Sequence, residues 1–216
     1  MLNAFYVSLC IAAPLLLMLF IQQEKKSRLL ILFLLFGILS ADLSGVFNSL
    51  VAEMCRASDF ETALYVAPLV EEMLKALPVI IFFLLVKPDF KTIIGLGVAV
   101  GVGFATIENI QYLFAYGTDD IVFILVRGFS TGIMHAMTVS ILAAALVFIS
   151  RSRITLMLGA VGMLSVSISM HSIYNLLVNG LGFWPYVGYF LPVCVALVYL
   201  FLLYHFKMRE GGNFGG

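Results

Sequence analysis

Seven long apolar runs follow one another along the chain with only short polar breaks between them, near 2 to 21, 29 to 51, 61 to 86, 92 to 115, 121 to 149, 154 to 178 and 185 to 206. A hydrocarbon layer about 30 Å thick takes roughly 20 helical residues to cross. Lipid offers no water to unpaired backbone groups, so runs of this kind fold as helices. The expectation is an all-α, polytopic transmembrane bundle of about seven spans, forming one membrane-embedded domain over residues 1–216 with its chemistry within about 61–180. Composition agrees: 62% of the 216 residues are hydrophobic and 11% charged, and the mean hydropathy is +1.11, far above that of a soluble domain. The first run carries no basic residue over 1–8, and no clear Ala-x-Ala site precedes a soluble region. It therefore reads as a retained helix, not a signal peptide.

The formal net charge is zero, but its distribution is uneven. Lys25, Lys26, Arg28, Lys87, Lys91, Arg151, Arg153, Lys207 and Arg209 fall on one side of the predicted bundle, and Arg56 alone on the other. The Lys/Arg-rich side is expected to be cytoplasmic, which puts the N-terminus outside and the C-terminus inside. Trp184, Tyr186 and Tyr189, with Tyr112 and Tyr116, suit an aromatic belt at the outer interface. No basic cluster with interleaved aromatics points to nucleic acid. The three cysteines, Cys10, Cys55 and Cys194, form neither a disulfide framework nor a Cys-x-x-Cys metal site. Gly97-x-x-x-Gly101 reads as close helix packing.

Ionisable groups cost about 2.5–3.5 kcal/mol each at a bilayer centre, so those retained there face a bundle interior and mark function by default. Here they are numerous: Asp42 and Asn48, then Glu71, Glu72 and Lys75, then Glu108 and Asn109, then Arg127 and His135, then His171 and Asn175. Glu71 and Lys75 are four apart, and Glu72 and Lys75 three apart, so either carboxylate can reach the ammonium. One lysine cannot fully compensate two buried carboxylates, which leaves one of the pair suited to act as a base. His171 and Asn175 share a helix face, as do Arg127, Thr131 and His135. Counted along their helices, Glu71, His135, Glu108 and His171 lie at mid-bilayer or in its outer half, where a cavity open to the outside would join them. Arg127, near the end of its span, and Asp42, without an evident partner, read as structural.

Known intramembrane chemistries narrow the choice. There is no His-Glu-x-x-His and no Gly-x-Ser-x-Gly, and Asp42 is the sole intramembrane Asp, too few for a paired-aspartate mechanism. Glutamate, histidine and asparagine remain.

The ordered set Glu71-Glu72-x-x-Lys75, Phe104-x-x-x-Glu108-Asn109, His135 and His171-x-x-x-Asn175 resembles the PrsW family of intramembrane proteases, which is similar to the type II CAAX prenyl proteases and their bacterial relatives. The match covers about residues 65 to 180. Glu108 stands where the CAAX enzymes carry His, which argues against a prenyl-protein substrate. The resemblance implies peptide-bond hydrolysis near the extracytoplasmic side of a bacterial plasma membrane, with a single-pass membrane protein such as an anti-sigma factor as substrate. It implies catalytic roles for Glu71, Glu72, Glu108, His135, His171 and Asn175, supported by Lys75 and Asn109. Either Glu of the pair is the base, with His171 and Asn175 stabilising the oxyanion. A metal-free mechanism and one with a single zinc ion on His135, His171 and Glu72 both fit. Two other readings use the same residues: a non-catalytic scaffold that binds transmembrane helices, and a small transporter.

Overall fold

The computed structural model describes residues 2–117, 119–149 and 152–210, with the backbone alone at 2–4, 203 and 206–210; Arg151 of the basic set lies outside them. Among the described residues there is no strand. The helices are α1 (Leu2–Ile21), α2 (Lys25–Cys55), a single turn α3 (Asp59–Glu61), α4 (Ala67–Val86), α5 (Phe90–Tyr116), α6 (Ile121–Ile149), α7 (Arg153–Val178) and α8 (Trp184–Glu210). A π-helical turn, Thr62–Val66, joins α3 to α4. Among the described residues, α2, α5, α6, α7 and the Trp184–Leu202 part of α8 are long and apolar enough to cross a membrane, five helices. α1 contributes a shorter apolar stretch, Phe5–Ile21, and α4 is 20 residues long but carries Glu71, Glu72 and Lys75. The protein is thus a multi-pass membrane protein.

Helix ends follow local chemistry. Ser58 and Glu61 form a reciprocal capping box that starts the α3–α4 segment. Asp89 caps α5 by accepting from the Thr92 N–H at 3.0 Å. The Asp89 carboxyl is held below the usual carboxylate range, first by its bonds from Thr92 and to a lesser degree by the Lys26 ammonium. That places the start of α2 beside the 87–89 connection.

Two prolines each free a carbonyl that takes an interhelical hydrogen bond. In the π-helical turn the Ala67 N–H bonds to the Thr62 carbonyl, and the next rung would run from residue 68 to the Ala63 carbonyl. Residue 68 is proline and has no N–H, so Ala63 instead accepts from the Asn175 side chain at 2.8 Å. Pro78, within α4, likewise leaves the Leu74 carbonyl without its helical donor, and the Ser40 hydroxyl of α2 supplies one at 3.3 Å. In a membrane, where no water replaces a lost rung, such repairs are obligatory.

α5 is the hub, packed most extensively on α2 and α6. Small residues permit this. Gly101 lies against the His135 carbonyl and the Ala136 backbone, Gly97 against Val139 and Ala143, and Gly103 against the Leu34 carbonyl. The expected close packing at Gly97-x-x-x-Gly101 is therefore present, and it brings α5 directly onto the backbone of His135.

The bundle is divided along its length. An apolar core of Phe33, Val79, Phe83, Ile93, Leu96, Val100, Val139, Ala143 and Leu146 fills the half towards the connections at 22–24 and 87–89. The polar residues gather in the other half, towards 56–58 and 179–183. Asp42 has a partner after all: the Ser8 hydroxyl of α1 donates to it at 2.9 Å.

Candidate active site

Side chains from α2, α4, α5, α6 and α7 meet in one continuous polar network. At its centre the Lys75 ammonium donates to Glu72 Oε1 at 2.6 Å and to His135 Nδ1 at 2.5 Å. Since an ammonium is only a donor, His135 Nδ1 accepts and the ring proton sits on Nε2, where it is donated to Glu108 Oε2. Glu108 Oε1 is 3.6 Å from the Arg127 guanidinium, which stacks 3.5 Å over the Tyr112 ring. In the other direction His171 Nδ1 donates to Glu72 Oε1 at 2.9 Å. Its Nε2 faces Glu71 Oε2 at 3.7 Å, and Glu71 Oε1 accepts from Asn48 Nδ2 at 3.1 Å. The order through space is Arg127, Glu108, His135, Lys75, Glu72, His171, Glu71, Asn48.

Apolar packing sets the rings. The two imidazoles stand at 90° with centroids 5.0 Å apart. Phe104 packs on His135 at 4.8 Å, with the Lys75 ammonium 4.4 Å above its face. The phenylalanine of the Phe-x-x-x-Glu motif thus holds both the imidazole and its cation. Tyr174, one turn from His171, is tied to Thr131 at 2.9 Å, and Ser167 donates to the Thr138 carbonyl at 3.0 Å, locking α7 to α6 on both sides of the rings.

Lys75 and His135 are fully buried and Glu72 and His171 nearly so. Exposure rises towards the ends of the network, 27% for the Glu108 side chain and 11% for Glu71, with Asn48 half-buried.

Every predicted residue except Asn175 and Asn109 enters this network. The Asn175 amide is committed to the Ala63 carbonyl, so it braces the π-helical turn above the Glu pair and does not share a point with His171. The Asn109 amide is 3.5 Å from the Gly128 carbonyl, linking α5 to α6. Two members were not foreseen. Arg127, read as structural, pairs with Glu108; its place on the same stripe as His135, two turns away, was the available signal. Asn48 binds Glu71, and its signal was its polarity within an apolar run.

Three carboxylates and two cations share this enclosed space, so with both imidazoles neutral one negative charge is uncompensated. Glu71 Oε2 is buried without a hydrogen-bond partner, and it faces His171 Nε2, whose lone pair is free once Nδ1 donates to Glu72. With His171 neutral and Glu71 ionised, two acceptors confront each other with no donor between them. Glu71, His135 and His171 offer ligand atoms within 4.8 Å of one another, the two-imidazole, one-carboxylate donor set of catalytic zinc sites. The geometry groups Glu71 with the imidazoles, where the sequence reading had placed Glu72; Glu72 instead orients His171, as a carboxylate behind a ligating histidine does.

A multi-pass helical membrane protein with such a donor set at its centre has the makings of an intramembrane metallohydrolase. The chain belongs to the PrsW family of intramembrane metalloproteases, whose family model it matches over residues 25–203. Comparisons with curated proteins and with solved structures find no match. Membership makes peptide-bond hydrolysis the activity class, a membrane protein the substrate class and the lipid bilayer the medium.

Proposed function

We propose that this protein cleaves a single-pass membrane protein, such as an anti-sigma factor, near the extracytoplasmic face of a bacterial plasma membrane. In this reading all seven long helices cross, with the N-terminus outside and the Lys/Arg-rich ends cytoplasmic, and the domain is the whole chain with its catalytic core at about 61–180. The site supports it through one observation above the rest: the unpartnered Glu71 Oε2 facing the open Nε2 of His171 in a buried, net-negative cluster.

A zinc ion held by Glu71, His135 and His171 is the proposed cofactor; bound there, it supplies Lewis acidity and an activated water. His171 and Glu71 present free lone pairs as they stand. His135 joins by releasing Lys75 or Glu108, and Lys75 keeps its bond to Glu72. Glu72 fixes the His171 ring by holding its Nδ1 proton. Glu108, the most exposed carboxylate of the site, would receive the water proton, with Arg127 holding it in place. Asn175 acts at one remove, by fixing the π-helical turn.

The test compares cells expressing wild type with cells expressing the Glu71→Gln, Glu72→Gln double variant, reading new termini of membrane proteins by mass spectrometry. New termini at the outer end of a single-pass helix, seen only with wild type, are the expected result. Their absence, with both proteins abundant and folded, would favour the scaffold or transport readings. Metal analysis of the purified chain separates the two chemistries: about one zinc per chain, lost in Glu71→Gln, is expected, and full activity in metal-free protein would sink the zinc mechanism.

A further inference from the structure

A second feature lies away from the catalytic cluster. Between α2 and α4 runs a cavity of about 390 Å³, lined by Leu29, Leu32 and Phe36 on one side and Leu77, Pro78 and Ile81 on the other. Its lining is apolar apart from Ser40, whose hydroxyl is already given to the Leu74 carbonyl. Helical register then adds something the topology of the chain does not require. Lys25 and Arg28 lie one turn before Leu29 and Leu32, so two exposed cations top the same face of α2 that lines the groove. Lys87, exposed at the end of α4, stands at the same end, and Lys26 is near enough to influence Asp89. Cations meant only to orient a helix could occupy any position in the 22–28 segment.

Dimensions select the occupant. From Leu29 to Leu43, both lining residues, α2 rises about 21 Å, somewhat more than one leaflet's half of a roughly 30 Å hydrocarbon layer. That length and the apolar lining suit an extended acyl chain, and the cations at the groove's end suit an anionic headgroup. We propose that the α2–α4 groove binds an anionic phospholipid, its acyl chain along Leu32, Phe36 and Leu77 and its phosphate at Lys25 and Arg28. The groove's deep end is Leu74, next to Lys75, so the bound lipid braces the Pro78-weakened part of α4 directly behind the polar cluster. The proposal does not depend on the protein being a protease.

The test incubates the purified full chain in detergent with equal amounts of dioleoyl phosphatidylglycerol and dioleoyl phosphatidylcholine and reads bound lipid by native mass spectrometry. Wild type is expected to prefer the anionic lipid. In Lys25→Gln, Arg28→Gln that preference falls by about fivefold per cation removed, while phosphatidylcholine binding persists. Leu77→Trp, at a half-exposed groove position, is expected to lower binding of both lipids. Equal binding of the two lipids by wild type, an unchanged preference in the charge variant, or binding unaffected by Leu77→Trp would each overturn the proposal.

Discussion

Lys75 carries more of the site than its place in a helix interior suggests, because it is the donor to Glu72 and to His135 at once. A buried charge pair adds little net stability, but a lone buried charge left by removing one partner is costly. Lys75→Met is therefore expected to destabilise the protein by about 3–5 kcal/mol, because Glu72 would stay buried with only the His171 N–H to bond it. In the Lys75→Met, Glu72→Gln double variant much of that loss should be recovered, since the uncompensated carboxylate is gone. Thermal unfolding in detergent of the two variants and of Glu72→Gln completes a double-mutant cycle. Strict additivity would mean that the 2.6 Å pair contributes nothing, contrary to this argument.

At the scale of the helices, the site depends on how closely α5 approaches α6. A methyl group at Gly101 would meet the His135 carbonyl and the Ala136 backbone, atoms that cannot turn aside. Gly101→Ala is expected to cost about 1–3 kcal/mol by overpacking and to draw His135 away from Glu108, abolishing proteolysis. Gly162→Ala meets no neighbour within 4 Å, and in a helix interior it should stabilise by about 0.5–1 kcal/mol. Melting temperatures and cleavage measured on the pair separate a specific clash from general sensitivity to glycine replacement. This contrast also marks what the sequence makes legible. Helix extents follow from apolar runs, since crossing lipid leaves few alternatives, and Glu71, Glu72, Lys75, Glu108, His135 and His171 declare themselves as costly groups in an apolar setting. The contacts of Asn48 with Glu71, Arg127 with Glu108 and Asn175 with Ala63 depend on the rotation and neighbours of separate helices. Periodicity within one helix carries no information on either. The Asn175 contact needs in addition the π-helical turn, a shift of one residue in a hydrogen-bond ladder that only the missing N–H of Pro68 hints at.

At the scale of the whole molecule, the orientation in the membrane decides which compartment the enclosed site serves. The polar cluster lies in the half of the bundle towards 56–58 and 179–183, and the exposed cations Lys25, Lys26, Arg28, Lys87 and Lys91 lie at the other end. If the basic end is cytoplasmic, as the asymmetry argues, proteolysis occurs on the extracytoplasmic side. The native cysteines offer the test. All three are free, but Cys10 and Cys194 lie well inside α1 and α8, where their exposure is to lipid. Cys55 ends α2, next to Arg56 in its left-handed cap, within reach of water. A membrane-impermeant maleimide added to intact cells is expected to label the wild type at one site and the Cys55→Ser variant at none, with Cys10 and Cys194 reacting only after denaturation. Labelling of Cys55 that appears only after the membrane is permeabilised would invert the topology. It would place the Glu and His network in the cytoplasmic half and end the case for an extracytoplasmic substrate site, while leaving the site's internal geometry and the proposed zinc chemistry intact.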